Sequence, residues 1–192
     1  MRCIAIGGIP GTGKTTLMRK FLDGRDLKLK TFRKLVVGHE FDDLIVLGDY
    51  SDNESVFAGT DKFSMAVQSE SDTFFKENTK NVVFEGDRIF NSKTLEPLSE
   101  NYELLILILE TEDSEVEKRY KERGSEQSDK FINGRRTKCE NVKKNGNLKV
   151  HVTQHSKPED TDRIVSGMNE FLKTGKINFE LVESDSLGDF FD

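Results

Sequence analysis

Cysteine and histidine are scarce in this chain of 192 residues, with two of the first and three of the second. The cysteines, Cys3 and Cys139, form no CxxC pair, and the histidines show no metal-ligand spacing, so a disulfide scaffold and a structural zinc site are both excluded. Cys3 reads as a core residue, and the pair fits a reducing compartment. Excess positive charge is also lacking: the formal net charge is -6, so the field of the whole molecule favours neither nucleic acid nor an anionic membrane. Any polyanion must therefore meet a local basic patch. No apolar run reaches the ~20 residues that span a bilayer, and the opening MRCIAIGG has no signal-peptide layout. The expectation is a soluble, cytoplasmic protein with no membrane partner. The chain has no internal repeat, no low-complexity segment and no guanine-binding NKxD tetrapeptide.

What is present is an alternation. Apolar runs at Cys3–Ile6, Val82–Phe84, Leu104–Leu109 and Leu148–Val152 read as strands buried on both faces of a parallel sheet. Helical patterns lie between and after them, at Lys14–Leu22, Met65–Lys76, Asp113–Arg123 and Glu159–Lys173, the last opened by a Ser156-x-x-Glu159 capping box and closed at Gly175. The fold class expected is α/β, a doubly wound parallel sheet of the P-loop kinase kind. Two parts break the rhythm. Lys34–Val37 and Leu44–Leu47 flank GHEFDD and predict a β-hairpin insertion, and Gly124–Gly146 is an Arg/Lys-rich stretch with two short helical patterns. The length suits a single domain over residues 1–178, with a lid at about 119–146 and an acidic tail over 179–192.

The segment Gly8-Ile9-Pro10-Gly11-Thr12-Gly13-Lys14-Thr15 satisfies GxxxxGK[ST] between an apolar strand and an amphipathic helix, the context this motif requires. Its glycines let backbone N–H groups wrap phosphates, and the helix start adds partial positive charge. Gly8, Gly11, Thr12, Gly13, Lys14, Thr15 and Thr16 are therefore the expected ATP-binding set, with Lys14 reaching the β- and γ-phosphates and Thr15 offering an oxygen to Mg²⁺.

Ligands of an open parallel sheet gather at the carboxyl ends of its strands, so acids there are candidates for the second half of the reaction. Val82-Val83-Phe84 delivers Glu85-Gly86-Asp87-Arg88, in which Glu85 suits Mg²⁺ or a hydroxyl proton and Arg88 suits a substrate anion. Earlier lie Gly48-Asp49-Tyr50-Ser51 and Phe57-Ala58-Gly59-Thr60-Asp61-Lys62-Phe63. There Thr60 or Asp61 is placed to cap the Met65 helix, Asp61 is a candidate general base, and Tyr50, Phe57 and Phe63 are candidate stacking surfaces for a flat ring. Arg119 and Arg123 share a helix face and look like lid arginines that close over the transferring phosphoryl group, followed by Arg135, Arg136 and Lys138. Between Glu117 and Lys149 stand eleven basic residues against five acidic ones, a patch able to meet ATP phosphates or a nucleic-acid backbone.

The set GIPGTGKTT, VLGDY, FAGTDKFSM, VVFEGDR, RYKERGSEQSDKF and GRRTKCENV resembles the phage-encoded P-loop kinases of thymine hypermodification, the 5-hydroxymethyluracil DNA kinases, over roughly Cys3 to Val142. The resemblance implies ATP and Mg²⁺, γ-phosphoryl transfer to the hydroxymethyl oxygen of 5-hydroxymethyluracil in DNA, and a host-cytoplasmic location. It places Lys14 and Thr15 on ATP and metal, Asp61 and Glu85 near the acceptor, and Arg88, Arg119, Arg123 and Arg136 on phosphates. Two alternatives stand beside it: a kinase of a free nucleoside or nucleotide, and an ATP-gated binding module. The C-terminal run Glu180–Asp192 holds five acidic and no basic residues, the composition of a solvated tail suited to a basic protein partner or to the chain's own basic lid.

Overall fold

In the first strand, β1 (Arg2–Gly7), successive side chains point to opposite faces, and each face is covered. Cys3 and Ala5 enter one apolar cluster and Ile4 and Ile6 enter another. The structure, a computed structural model, describes residues 1–52, 58–122 and 128–177. Within them β2 (Leu29–Arg33), β3 (Val36–Glu40), β4 (Leu44–Leu47), β5 (Asn81–Glu85), β6 (Glu103–Glu110) and β7 (Val150–Gln154) join β1 in one sheet, in the order β2-β3-β4-β5-β1-β6-β7. The five strands from β4 to β7 are parallel, while β2 and β3 extend the sheet antiparallel from β4.

Helices cover both faces. Helices α1 (Lys14–Phe21) and α6 (Pro158–Thr174) bury Leu17, Met18, Phe21, Ile164, Met168 and Phe171 on the Ile4 side. Helices α2 (Gln68–Glu77), α3 (Ser92–Asn101) and α5 (Asp129–Lys143) bury Phe74, Phe75, Leu95, Leu98, Cys139 and Val142 on the Cys3 side. The remaining helix, α4 (Asp113–Glu122), follows β6. This is the expected α/β doubly wound class. The chain leaves β1 between neighbours β5 and β6, which belong to opposite halves of the sheet, and that position is where an open α/β sheet forms its crevice.

Several local expectations are corrected. The expected hairpin is present as the antiparallel pair β3 and β4, but it is part of a three-stranded meander: Leu44–Leu47 also pairs in parallel with β5 within the main sheet, and β2 forms the edge. This edge strand escaped notice because it is largely exposed and polar, and it is held by charge, with Arg33 paired to Glu70 at 3.1 Å and Glu77 at 2.6 Å. Helix α3, which the sequence pattern did not assign, forms although it carries Pro97: burial of Leu95 and Leu98 prevails over the lost backbone bond, and Asn91 caps the start by accepting from the Thr94 N–H.

Helix α2 starts at Gln68, leaving Met65 80% exposed, and Thr60 and Asp61 lie in a separate 3-10 turn, Thr60–Lys62, so they do not cap it. At α6 the capping carboxylate is Asp160, which accepts from the N–H groups of Ser156 and Lys157 at 2.9 Å each, one residue beyond the predicted Glu159. Gly175 ends this helix as expected. Among its described residues, 128–146, the basic stretch forms one helix, α5, where two short helical patterns were predicted over Gly124–Gly146, and its buried Cys139 and Val142 join the cluster that holds Leu148, so the second half of the expected lid is anchored on the sheet. Residues 179–192, the expected tail, lie outside the described residues. Cys3 is fully buried, as predicted.

Candidate functional site

The chain turns from β1 into α1 through the phosphate loop. Gly11 and Gly13 adopt φ of 84° and 83°, a region that side-chain-bearing residues avoid, and a Cβ there would also meet neighbours: Tyr120 and Val116 at 3.1 Å from Gly11, His155 at 2.5 Å from Gly13. The Lys14 ammonium donates back to the Gly8 and Ile9 carbonyls at 2.8 and 3.0 Å. Thr12 is buried and its hydroxyl donates to the Ile9 carbonyl at 2.9 Å, whereas Thr16 is exposed on the first turn of α1.

Beside the loop, β5 ends on Glu85, which is 1% exposed. Its Oε1 accepts from the Thr15 hydroxyl at 3.4 Å and the Tyr50 hydroxyl at 3.3 Å, and its Oε2 has no hydrogen-bond partner among the described residues. Burial raises the carboxyl from 4.5 to about 7; Lys14 opposes the rise and Asp61 adds to it. Burial and the neighbouring Glu85 hold the Tyr50 phenol well above its ordinary range, so it remains a donor. A Cβ on Gly59 would lie 2.3 Å from Glu85 Oε1 and 2.7 Å from the Tyr50 hydroxyl, so a glycine is required where the strand-like bridge of Asp49 with Gly59 crosses the site.

The second acidic group is one step further out. Asp61 Oδ1 accepts from the Asp87 N–H at 2.7 Å, and Thr60, fully buried, donates its hydroxyl to the Glu85 carbonyl at 2.8 Å. The Asp87 carboxylate pairs with Arg135, and the Asp87 carbonyl accepts from Lys138. Burial raises the Asp87 carboxyl despite Arg135, and burial lowers the Lys138 ammonium despite Asp87. The Arg135 guanidinium also lies 4.5 Å over the Phe131 ring. Arg88 donates to the Phe63 carbonyl at 3.1 Å.

Arg136 turns the other way, to Asp113 at 2.6 Å, beside a cleft of about 490 Å³ lined in part by Ile9, Glu110 and Lys143. Arg119 spans three groups: the Glu115 carboxylate at 3.0 Å, the Gly11 carbonyl at 3.0 Å and the Ser156 carbonyl at 3.1 Å.

The predicted residues thus fall into three sets. Lys14, Thr15, Glu85, Thr60, Asp61 and Arg119 converge on the crevice. Arg88, Arg135 and Arg136 are nearby but bonded to the chain's own acceptors. Tyr50 is a correction: at 1% exposure, its ring within the apolar cluster on the Ile4 side and its hydroxyl on Glu85, it offers no face to a substrate ring, and Phe63 is buried likewise. Phe57 and Arg123 lie outside the described residues. Sequence reasoning singled out neither Tyr120, although it lies within RYKERGSEQSDKF, nor His155, which belongs to no quoted segment, and it passed over Asp87 within the EGDR segment. No group of three or more His, Cys, Asp and Glu able to hold a metal occurs among the described residues.

A family profile described as an AAA domain matches residues 4–144, from β1 through the phosphate loop to the end of α5. The chain belongs to the AAA domain family. Curated protein sequences give no match to this AAA domain. Among solved structures, the crystal structure of a gluconokinase from Sinorhizobium meliloti 1021 is similar to it at a TM-score of 0.46 and 12% identity, covering 90% of this chain and 97% of that one. No helix among the described residues is long and apolar enough to cross a membrane.

Proposed function

We propose that this AAA domain is a P-loop phosphotransferase that moves the γ-phosphoryl group of ATP to an alcohol oxygen. One observation carries the reading: a buried glutamate at the end of β5, bonded through Oε1 to the loop threonine and left with a partnerless Oε2, faces the P-loop lysine's helix. An orphaned buried carboxylate oxygen is costly unless a ligand meets it, and a hard divalent cation suits a hydroxyl and a carboxylate together. Thr15 and Glu85 would hold Mg²⁺, and the loop N–H groups, Lys14, Thr15 and Thr16 would hold the triphosphate.

Bound Mg²⁺ and ATP supply the electrophilic phosphorus and neutralise its developing charge. The chain's own residues then do three things. Lys14 leaves the Gly8 and Ile9 carbonyls to meet the phosphates. Asp61, on the acceptor side of Glu85, takes the proton from the attacking hydroxyl, with Glu85 reserved for the metal. Arg119, on leaving the Gly11 and Ser156 carbonyls and joined in our reading by Arg123, brings positive charge to the transferring group from α4.

For the acceptor we propose the hydroxymethyl oxygen of 5-hydroxymethyluracil in DNA, on the strength of the GTD, EGDR and GRRTK segments together with the basic run from Glu117 to Lys149. A second reading, a free nucleoside or nucleotide, is favoured by one finding: Tyr50 and Phe63 are core residues, and Arg88, Arg135 and Arg136 are each engaged with the chain's own acceptors, which leaves less surface for a polymer. Incubation with radiolabelled ATP and DNA containing or lacking 5-hydroxymethyluracil, beside the free nucleoside and its monophosphate, tests both. Label entering only the modified DNA supports the first acceptor, a higher kcat/KM on the monomer supports the second, and no acceptor-dependent turnover overturns the phosphotransferase.

A further inference from the structure

Every carbonyl of the phosphate loop from Gly8 to Thr12 accepts a hydrogen bond from a side chain. Lys14 and Thr12 serve Gly8 and Ile9 from within the loop. The other three donors come from far away in sequence: the Tyr120 hydroxyl to the Pro10 carbonyl at 2.7 Å, Arg119 to the Gly11 carbonyl at 3.0 Å, and His155 Nδ1 to the Thr12 carbonyl at 2.6 Å. A carbonyl only accepts, so Nδ1 carries the His155 hydrogen, and Nε2 accepts from the Thr161 hydroxyl at 2.9 Å on the first turn of α6. The imidazole is 3% exposed, and burial lowers its basicity, which keeps it in this neutral form.

In a trans peptide the carbonyl and the following N–H point in opposite directions. A donor that holds the Pro10 carbonyl on the outside of the loop therefore turns the Gly11 N–H inward, and one that holds the Thr12 carbonyl does the same for Gly13. The packing repeats the pairing. Tyr120 is the neighbour a Cβ on Gly11 would strike at 3.1 Å, and His155 the one a Cβ on Gly13 would strike at 2.5 Å.

We propose that Tyr120 and His155 are positioning residues of the nucleotide site, which hold the Pro10 and Thr12 carbonyls outward from α4 and from the turn between β7 and α6 and so aim the Gly11 and Gly13 N–H groups at bound phosphates. This rests on the reading of the loop as the ATP site. Neither side chain touches the nucleotide, and their loss weakens binding of any phosphate chain there without altering the reacting atoms.

The test measures the affinity of the full chain for ADP with Mg²⁺ by titration calorimetry. The variants are Tyr120→Phe, which deletes one hydroxyl, His155→Phe, which keeps bulk without a donor, and His155→Asn, whose amide N–H replaces Nδ1–H. A single lost hydrogen bond predicts a Kd raised about 3- to 10-fold in each Phe variant, with His155→Asn recovering most of it. The kcat at saturating ATP stays within about twofold, as for a loss of uniform binding. In amide spectra the Gly11 and Gly13 resonances shift in the corresponding variant.

If His155→Phe does not fold, Tyr120→Phe carries the test. Native Kd in folded Phe variants, or a loss confined to kcat, overturns the proposal. A folded native chain that binds no ADP overturns the underlying ATP reading as well, a result distinct from unequal binding among variants.

Discussion

At the donor end of the crevice, the phosphate loop is eight consecutive residues from Gly8 to Thr15, and the carbonyls of Pro10, Gly11 and Thr12 are tied to partners outside the loop. At the acceptor end, Tyr50, Thr60, Asp61, Glu85, Asp87 and Arg135 come from separate segments and are tied mainly to one another. The first arrangement presents a fixed array of donors to a ligand of constant shape. The second ties most of its groups to one another, Glu85 Oε2 excepted, so in the proposed reading an acceptor would exchange its own groups for internal ones such as the Asp87 to Arg135 pair. In the proposed reading, affinity for the nucleotide would be built in before binding, whereas selectivity for the acceptor would be obtained by displacement.

The largest effect should come from the donor end. In Lys14→Ala the cation that meets the developing γ-phosphoryl charge is gone, and turnover should fall by at least about 100-fold, the loss seen for single donors to transition-state charge. Folding should survive, because Lys14 bonds only to loop carbonyls that Thr12 or solvent can also serve. Near-native kcat with normal Mg²⁺ dependence would remove the loop from catalysis and dissolve the contrast between the two ends.

The junction of the two ends is Glu85, and it predicts an unusual pH response. Its carboxyl is raised from 4.5 to about 7, so between those values the folded protein holds a proton that the unfolded chain has released. Stability therefore falls as pH rises through that window. In chelator without nucleotide, Glu85→Gln should match the native protein near pH 4 and be the more stable by up to about 3 kcal/mol near pH 8. Thermal or denaturant unfolding across pH measures this. A native protein as stable as the variant at pH 8 would mean that Oε2 has a partner already and that the site is not poised for a cation.

The two ends also differ in how far they were legible. The phosphate loop is contiguous, its glycines have one structural purpose, and its strand and helix announce themselves by apolar period, so residues 8–16 were readable from the sequence. Glu85 was readable as an acid at a strand end, and Asp61 as an acid within the GTD segment. The role of Tyr50 was not, since an aromatic next to an acid in VLGDY reads equally as a stacking surface or as a buried donor, and only the packing of β4 against β5 decides it. His155 was illegible for another reason: its partner Thr12 is 143 residues away, and a single histidine at a strand end carries no spacing to detect. The edge strand β2 and helix α3 were missed because exposure in one and Pro97 in the other hide the period that tertiary packing supplies.

The smallest effect tests whether the acceptor end extends into a track for a polymer. Arg136 pairs with Asp113 at 2.6 Å, but their side chains are 50% and 73% exposed, and such a surface pair contributes little to stability. Arg136→Ala should change the unfolding free energy by no more than about 0.5 kcal/mol, and phosphorylation of a free nucleoside should not change at all. With DNA the outcome differs if Arg136 leaves Asp113 for a backbone phosphate: binding weakens for every sequence, and the slope of log affinity against log salt becomes shallower by about one. The displacement idea adds a sign of its own. Asp113→Asn frees Arg136 from its internal partner and should tighten DNA binding, the opposite of Arg136→Ala, whereas a phosphate track made of already free cations would respond to the first change hardly at all. Equal salt slopes in all three proteins would take Arg136 off any DNA path and leave the acceptor end closed around a small molecule.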